Sequence, residues 1–286
     1  MPKSYFILLL TSLLCSLSRA DVNIVTTIKP LQMIAEAVVQ EHGSVSSIAD
    51  PQQSPHHFTV SPSDRINLAR ADMAVWIGPL FEIRISDFFV QARFKAKTIT
   101  AIDIPGLQLH RVGDGKLDAH LWLNGSNAVR IAKAIAERAA EMDPVNATSY
   151  RQNLEKFSVE IETRNQQIAQ RFQAPTARNY AVYHNAYQYF EQQFGLQHDM
   201  VFLQDPEVQP GIRETIQLRS QVNDQRPSCL LLGFDSSSDL VSTVLNGHEL
   251  KQITVDLLGS NVNSSGNAYS EFMANLADDF YECLYE

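Results

Sequence analysis

The chain predicts an α/β fold of two lobes with parallel-type sheets, and three observations carry that expectation. Strand-like and helix-like segments alternate between residues 22 and 77, and they alternate again between residues 180 and 284. Between the two runs, Ser126–Phe172 reads as almost wholly helical. Alternation of this kind implies a parallel sheet with helices on its faces, and its recurrence after a helical interlude favours two lobes over one.

The first twenty residues are set aside as a leader. Lys3 gives a positive start, Phe6–Leu10 and Leu13–Leu14 form a short apolar run, and Ser18-Arg19-Ala20 supplies small residues for cleavage after Ala20. The run is too short to span a bilayer, and no later segment reaches the roughly 18 uninterrupted apolar residues a span needs. The expected product is an exported, soluble chain beginning at Asp21. Its residues divide into an N-terminal lobe (21–125), a helical connection (126–173) and a C-terminal lobe (174–286).

Within the first lobe, Val22–Ile28 is β-rich, and Pro30–Gln40 carries Leu31, Ile34 and Val38 at helical spacing. Val45–Ala49 reads as a second strand. Ser61-Pro62 is an N-cap followed by proline at the first helical position, opening a helix to Arg70. Met73–Ile77 is a buried strand stopped by Gly78-Pro79. In the connection, Pro144 separates a helix of about fifteen residues from one of about 27, which at 1.5 Å per residue is roughly 40 Å long and able to traverse two lobes. Its apolar stripe is Tyr150, Leu154, Phe157, Ile161, Ile168 and Phe172. The second lobe offers strands at Tyr180–Tyr183, Cys229–Leu232 and Ile253–Val255. Its helices are Ala186–Phe194, Gly211–Val222, Asp239–Leu245 and about Tyr269–Leu284.

Charge narrows the partners. With Lys3 and Arg19 lost in the leader, the remaining chain has 21 basic and 32 acidic residues, a net of −11. Such a surface disfavours nucleic acid and anionic membranes. Cys229 and Cys283 are the cysteines left after Cys15. In an oxidising compartment two such residues usually pair; the alternative is two buried thiols.

Four separated segments bear side chains able to hold a metal: Ser54–Asp64 (SPHHFTVSPSD), Asp118–Asn124 (DAHLWLN), Tyr183–Glu191 (YHNAYQYFE) and Val255–Asn261 (VDLLGSN). His56 lies in a loop fixed by the capped helix at Ser61. His120 opens an alternating stretch in which Asp118, Trp122 and Asn124 can support it. His184 and Asp256 each stand where a strand ends, the usual ligand-binding edge of an open α/β sheet. Together they offer three nitrogens and one carboxylate, a set that suits zinc. His57 would point away from His56 in an extended segment, and His42, His110, His198 and His248 read as solvated surface. No HExxH or CxxC spacing backs the set, so the residues alone leave it open between a cage and ordinary histidines.

Along these segments the chain resembles the zinc-specific branch of the periplasmic receptors of ABC importers. The likeness runs through TTIKPL (Thr26–Leu31), SPHHFTVSPSD, ADMAVWIGP (Ala71–Pro79), AHLWL (Ala119–Leu123) and YHNAYQYFEQQFGL (Tyr183–Leu196). It continues in DPEVQPG (Asp205–Gly211), VDLLGSN and YSEFMANLADDFYECL (Tyr269–Leu284). The resemblance implies two lobes joined by one long rigid helix, with the metal in the cleft between them. It makes His56 and His120 the N-terminal-side ligands and His184 and Asp256 those of the C-terminal lobe. It further implies Zn(II) as transported ligand, an ABC permease and its ATPase as partners, a monomer without enzymatic activity, and a Cys229–Cys283 disulfide.

Three departures stand out. The segment Leu107–Ala119 is short and holds only His110, where zinc receptors commonly insert a long histidine-rich loop. The carboxylate motif reads Asp256-Leu257-Leu258-Gly259 in place of the usual DPLG, which leaves Asp256 or water to complete the shell. LWLNG replaces LWLSP after the second histidine. Rival readings are a manganese or iron receptor, whose members usually carry glutamate in place of His184, and a zinc-handing or adhesin-like derivative. A metallohydrolase is a further rival; it would need a general base such as Glu191, two helical turns beyond His184.

Overall fold

Parallel pairing builds two four-stranded sheets of the same winding. The structure, a computed structural model, describes residues 21–52, 59–89, 91–113, 115–173, 178–204, 208–234 and 236–286. His56 and the leader lie outside the described residues. The first lobe contains β1 (Val22–Thr26), α1 (Lys29–Val39), β2 (Gly43–Ser47), α2 (Pro62–Arg70), β3 (Met73–Trp76), the single turns α3 (Ser86–Phe89) and α4 (Ala92–Lys95), and β4 (Thr98–Thr100). Its strand order is β2-β1-β3-β4. The helices α5 (Gly125–Met142) and α6 (Ala147–Arg171) follow. The second lobe contains β5 (Tyr180–His184), α7 (Gln188–Phe194), β6 (Met200–Leu203), α8 (Ile212–Gln225), β7 (Cys229–Leu232), α9 (Ser238–Leu245), β8 (Lys251–Thr254) and α10 (Ala268–Tyr285), with strand order β6-β5-β7-β8.

The predicted elements are present, and two more strands join them. β4 and β6 are edge strands of three and four residues, too short for a period of two to stand out in sequence. β2 begins two residues before its predicted start because its register is set by β1, Val22 opposite Gly43 through Thr26 opposite Ser47. At α2 the predicted cap is complete: the Asp64 N–H donates to the Ser61 hydroxyl, and the Ser61 N–H donates to the Asp64 carboxylate.

α6 spans about 37 Å at 1.5 Å per residue and touches α1, α5 and α10. Its predicted stripe faces inward, with Tyr150, Phe157, Ile161, Ile168 and Phe172 buried and Leu154 half-buried. Polar ties fix it at both ends. Asn153 donates to the Val38 carbonyl at 3.0 Å, Tyr150 donates to the His42 carbonyl at 3.2 Å, and Arg164 donates to the Ser270 hydroxyl at 3.1 Å. The helix therefore joins the end of α1 in one lobe to the start of α10 beside the other. Among the described residues no helix is long and apolar enough to cross a membrane.

Three histidines predicted at the surface are drawn inward. His42 is buried edge-on against Tyr150 at 6.1 Å, because the chain reverses between α1 and β2 under α6. His110 is half-buried with its ring 4.6 Å from that of Tyr189. His198 is half-buried and donates through Nδ1 to Glu191 at 2.8 Å. His248 is exposed as expected.

The Cys229 and Cys283 pair is bridged, with Cα atoms 5.6 Å apart and a sequence separation of 54. It fastens the end of α10 to the first residue of β7. Closing a loop of that length restricts the unfolded chain by about 4 kcal/mol. We expect reduction, or the double change Cys229→Ala with Cys283→Ala, to lower the unfolding free energy by about 2–4 kcal/mol in urea titrations. An unchanged midpoint would contradict this.

Candidate metal centre

His184 ends β5, and His120 is the last irregular residue before the turn Leu121–Leu123. Both are buried, at 3% and 7% exposure. Their ring centroids lie 5.5 Å apart with planes at 50°. Two imidazoles bound to one zinc at about 2.05 Å in tetrahedral geometry would have centroids about 5 Å apart. The pair is thus spaced for a shared ion.

The tautomer of His120 is set by a neighbour. Asp118 Oδ1 lies 2.8 Å from Nδ1 of His120 and accepts the His120 backbone N–H at 2.9 Å. Asp118 is 3% exposed. A buried carboxylate on Nδ1 holds the proton there and leaves the Nε2 lone pair available to a metal. Phe81 at 6.0 Å and Trp122 at 5.3 Å wall the ring with apolar surface, which excludes competing water.

Phe81 is seated by a residue that sequence reading missed. Glu82 is 2% exposed and accepts from the Thr27 hydroxyl at 2.5 Å, the Ile77 N–H at 3.0 Å and the Gly78 N–H at 2.8 Å. It closes the turn after β3 onto the end of β1. Burial pushes its carboxyl up to about 7, against the pull of those three donors.

Asp256 follows β8, and its carboxylate organises its own loop. Oδ1 accepts the Leu258 N–H at 3.1 Å; Oδ2 accepts the Ser260 hydroxyl at 2.8 Å and the Asn261 N–H at 3.2 Å. Among the described residues no three His, Cys, Asp or Glu side chains converge on one metal position; the assembled part of the predicted set is the pair His120 and His184. The missing proline in the motif does not unseat the loop. Gly259, at φ 65°, takes the turn, and a Cβ there would come within 2.5 Å of the Met33 side chain.

That loop is also gripped from the other lobe. The Lys29 ammonium donates to the carbonyls of Ser260 at 3.0 Å and Val262 at 2.7 Å. A lysine in the first turn of an apolar helix opposes the helix dipole, and this misplaced charge is the signal that could have marked Lys29 beforehand. Glu191, the only base considered for hydrolysis, is buried and accepts from the Tyr180 hydroxyl at 2.6 Å. Tyr180 starts β5 and His184 ends it, about 13 Å away along the strand.

A profile of the ZnuA family, described as zinc-uptake complex component A, periplasmic, matches residues 24–283. The chain belongs to this family. The high-affinity zinc uptake system protein ZnuA of Yersinia pestis is 26% identical over 293 residues, covering 93% of this chain and 92% of that protein. A crystal structure of ZnuA aligns with a TM-score of 0.78 at 22% identity, over 92% of this chain and 98% of the other. The periplasmic zinc binding protein TroA from Treponema pallidum gives 0.79 at 16% identity, over 93% and 100%. At these identities the structural likeness establishes the fold, two α/β lobes of the ZnuA and TroA kind.

Two outcomes are expected from this geometry. Asp118→Ala should weaken zinc binding about 10–100-fold, read by competition with a chromophoric chelator; wild-type affinity would show that Asp118 does not tune the centre. Because Glu82 keeps its proton to higher pH when folded, the folded state binds more protons and stability should fall as pH rises from about 4.5 to about 7. Urea midpoints across that range should show the decline, and Glu82→Gln should flatten it.

Proposed function

We propose that this chain captures Zn(II) in the periplasm and delivers it to an ABC permease driven by its ATPase. The observation that carries this reading is the His120 and His184 pair, buried and 5.5 Å apart, one imidazole from each side of the cleft. Neutral imidazoles favour zinc over the harder, oxygen-preferring ions, which argues against a manganese or iron cargo. We assign His56 as the third nitrogen from its sequence motif. The fourth ligand is Asp256 or water; Asp256 is not drawn up to the His120 and His184 pair in this structure, but a carboxylate has about four lone-pair positions and its own loop uses three.

In this reading the receptor is a monomer cleaved after Ala20. Residues 21–125 form the N-terminal lobe, 126–173 the connection and 174–286 the C-terminal lobe. The pinned α6 limits how far the lobes can swing apart, so release proceeds by local movement around the ligands rather than by wide opening. The ZnuA family consists of solute-binding receptors, and the engagement of Glu191 with Tyr180 and His198 leaves it away from the role of hydrolytic base. The short Leu107–Ala119 segment makes the cleft the whole of the zinc-binding apparatus.

Isothermal titration of the metal-free protein should give tight one-to-one zinc binding that His184→Ala abolishes. Affinity should drop as pH falls through the histidine range, because each imidazole must shed its proton to bind. Absence of tight binding, or an unaffected His184→Ala variant, would sink the proposal.

A further inference from the structure

His120 is carried by a segment that leaves the first lobe, yet its hydrogen bonds run to the second. The Tyr189 hydroxyl, in α7, donates to the Asp118 carbonyl at 2.8 Å and accepts the His110 N–H at 3.2 Å. The Tyr189 ring lies 4.6 Å from that of His110, and Tyr189 is fully buried. Next to it, Gln188 donates to the Arg111 carbonyl at 3.3 Å. On the far side of His120, the Trp122 indole N–H donates to the Leu257 carbonyl at 2.9 Å, and Tyr269 donates to the Trp122 carbonyl at 2.6 Å.

A short covalent and hydrogen-bonded path therefore links the two imidazoles. From His184 the chain runs five residues to Tyr189. From the Tyr189 hydroxyl it passes to the Asp118 carbonyl, and the carboxylate of the same Asp118 holds Nδ1 of His120. A phenol has only two side-chain torsions, and this one is buried with both its donor and acceptor capacities used. It can hold a fixed span between two rings that the sequence places 64 residues apart.

Resting on the zinc-receptor reading, we propose that Tyr189 is a positioning residue of the metal centre. It locks the Asp118 and His120 segment to the second lobe, so that His120 and His184 form one preformed pair. The consequence is a division of ligands unlike the one expected from chain order: His120 travels with His184, and lobe movement leaves their spacing unchanged.

The test is Tyr189→Phe, which removes a single oxygen. Three readouts are compared with wild type: zinc affinity, zinc release to excess chelator, and the visible spectrum of the Co(II)-loaded protein, which reports ligand geometry. Tyr150→Phe serves as control, since it removes another buried hydroxyl, bonded to Asp143 at 2.8 Å and remote from the cleft. Tyr189→Phe should bind zinc about tenfold more weakly, release it correspondingly faster and shift the Co(II) bands. Tyr150→Phe should lower the thermal midpoint and leave all three metal readouts at wild-type values. Should Tyr189→Phe fail to fold, Gln188→Ala, which removes the weaker neighbouring tie, should shift the same readouts in the same direction by a smaller factor. A Tyr189→Phe protein with wild-type affinity and spectrum, or a change that Tyr150→Phe reproduces, overturns the proposal while His184→Ala still confirms the centre. If wild type itself takes up no zinc, the receptor reading falls and this proposal falls with it.

Discussion

Trp122 is the residue on which the arrangement of the cleft depends. Its side chain is fully buried, its indole N–H is spent on the Leu257 carbonyl, and its own carbonyl accepts from Tyr269. Through its side chain and its backbone carbonyl, this one residue joins the His120 segment to the Asp256 loop and to the first turn of α10. An indole offers a large apolar body with a single donor at its rim, so satisfying that donor fixes the orientation of the ring as well as its depth. His120 lies two residues away and packs its imidazole against that ring.

Around this point the two lobes exchange polar contacts in both directions. Lys29 reaches from α1 to the loop after Asp256, and Tyr189 reaches from α7 to the loop before His120. Each contact is made to backbone carbonyls, so neither depends on the identity of the residue gripped. Lys29 is half-buried where it bridges the lobes, and parting them there would break two charge-assisted hydrogen bonds.

Much of this was legible in the amino-acid order. Strand and helix alternation gave both lobes, the Ser61 cap and Pro144 break gave helix ends, and the apolar stripe of α6 gave its buried face. His184 was found because it closes a strand at a sheet edge, His120 because it opens an alternating stretch, and Asp118 because it sits two residues before that candidate ligand. What escaped were contacts between residues far apart in the chain. Thr27 and Glu82 are 55 positions apart, Asp118 and Tyr189 are 71, and Lys29 and Ser260 are 231. Periodicity reports on a residue's face and says nothing of the partner that meets it. The edge strands β4 and β6 escaped for a related reason, since their identity comes from the neighbour they pair with. His42 and His198 look like surface residues by local composition, but the first is buried against Tyr150 and the second is half-buried and held by Glu191.

α10 is the last element of the chain, and it packs on α1, α6, β7 and β8. Its first turn reaches the cleft through Tyr269, and its end is covalently bound to β7. Both halves of the molecule therefore owe part of their packing to α10. Contacts of such long sequence separation form late and slowly. The finished cleft is accordingly a late product of folding, reached when α10 docks on both halves.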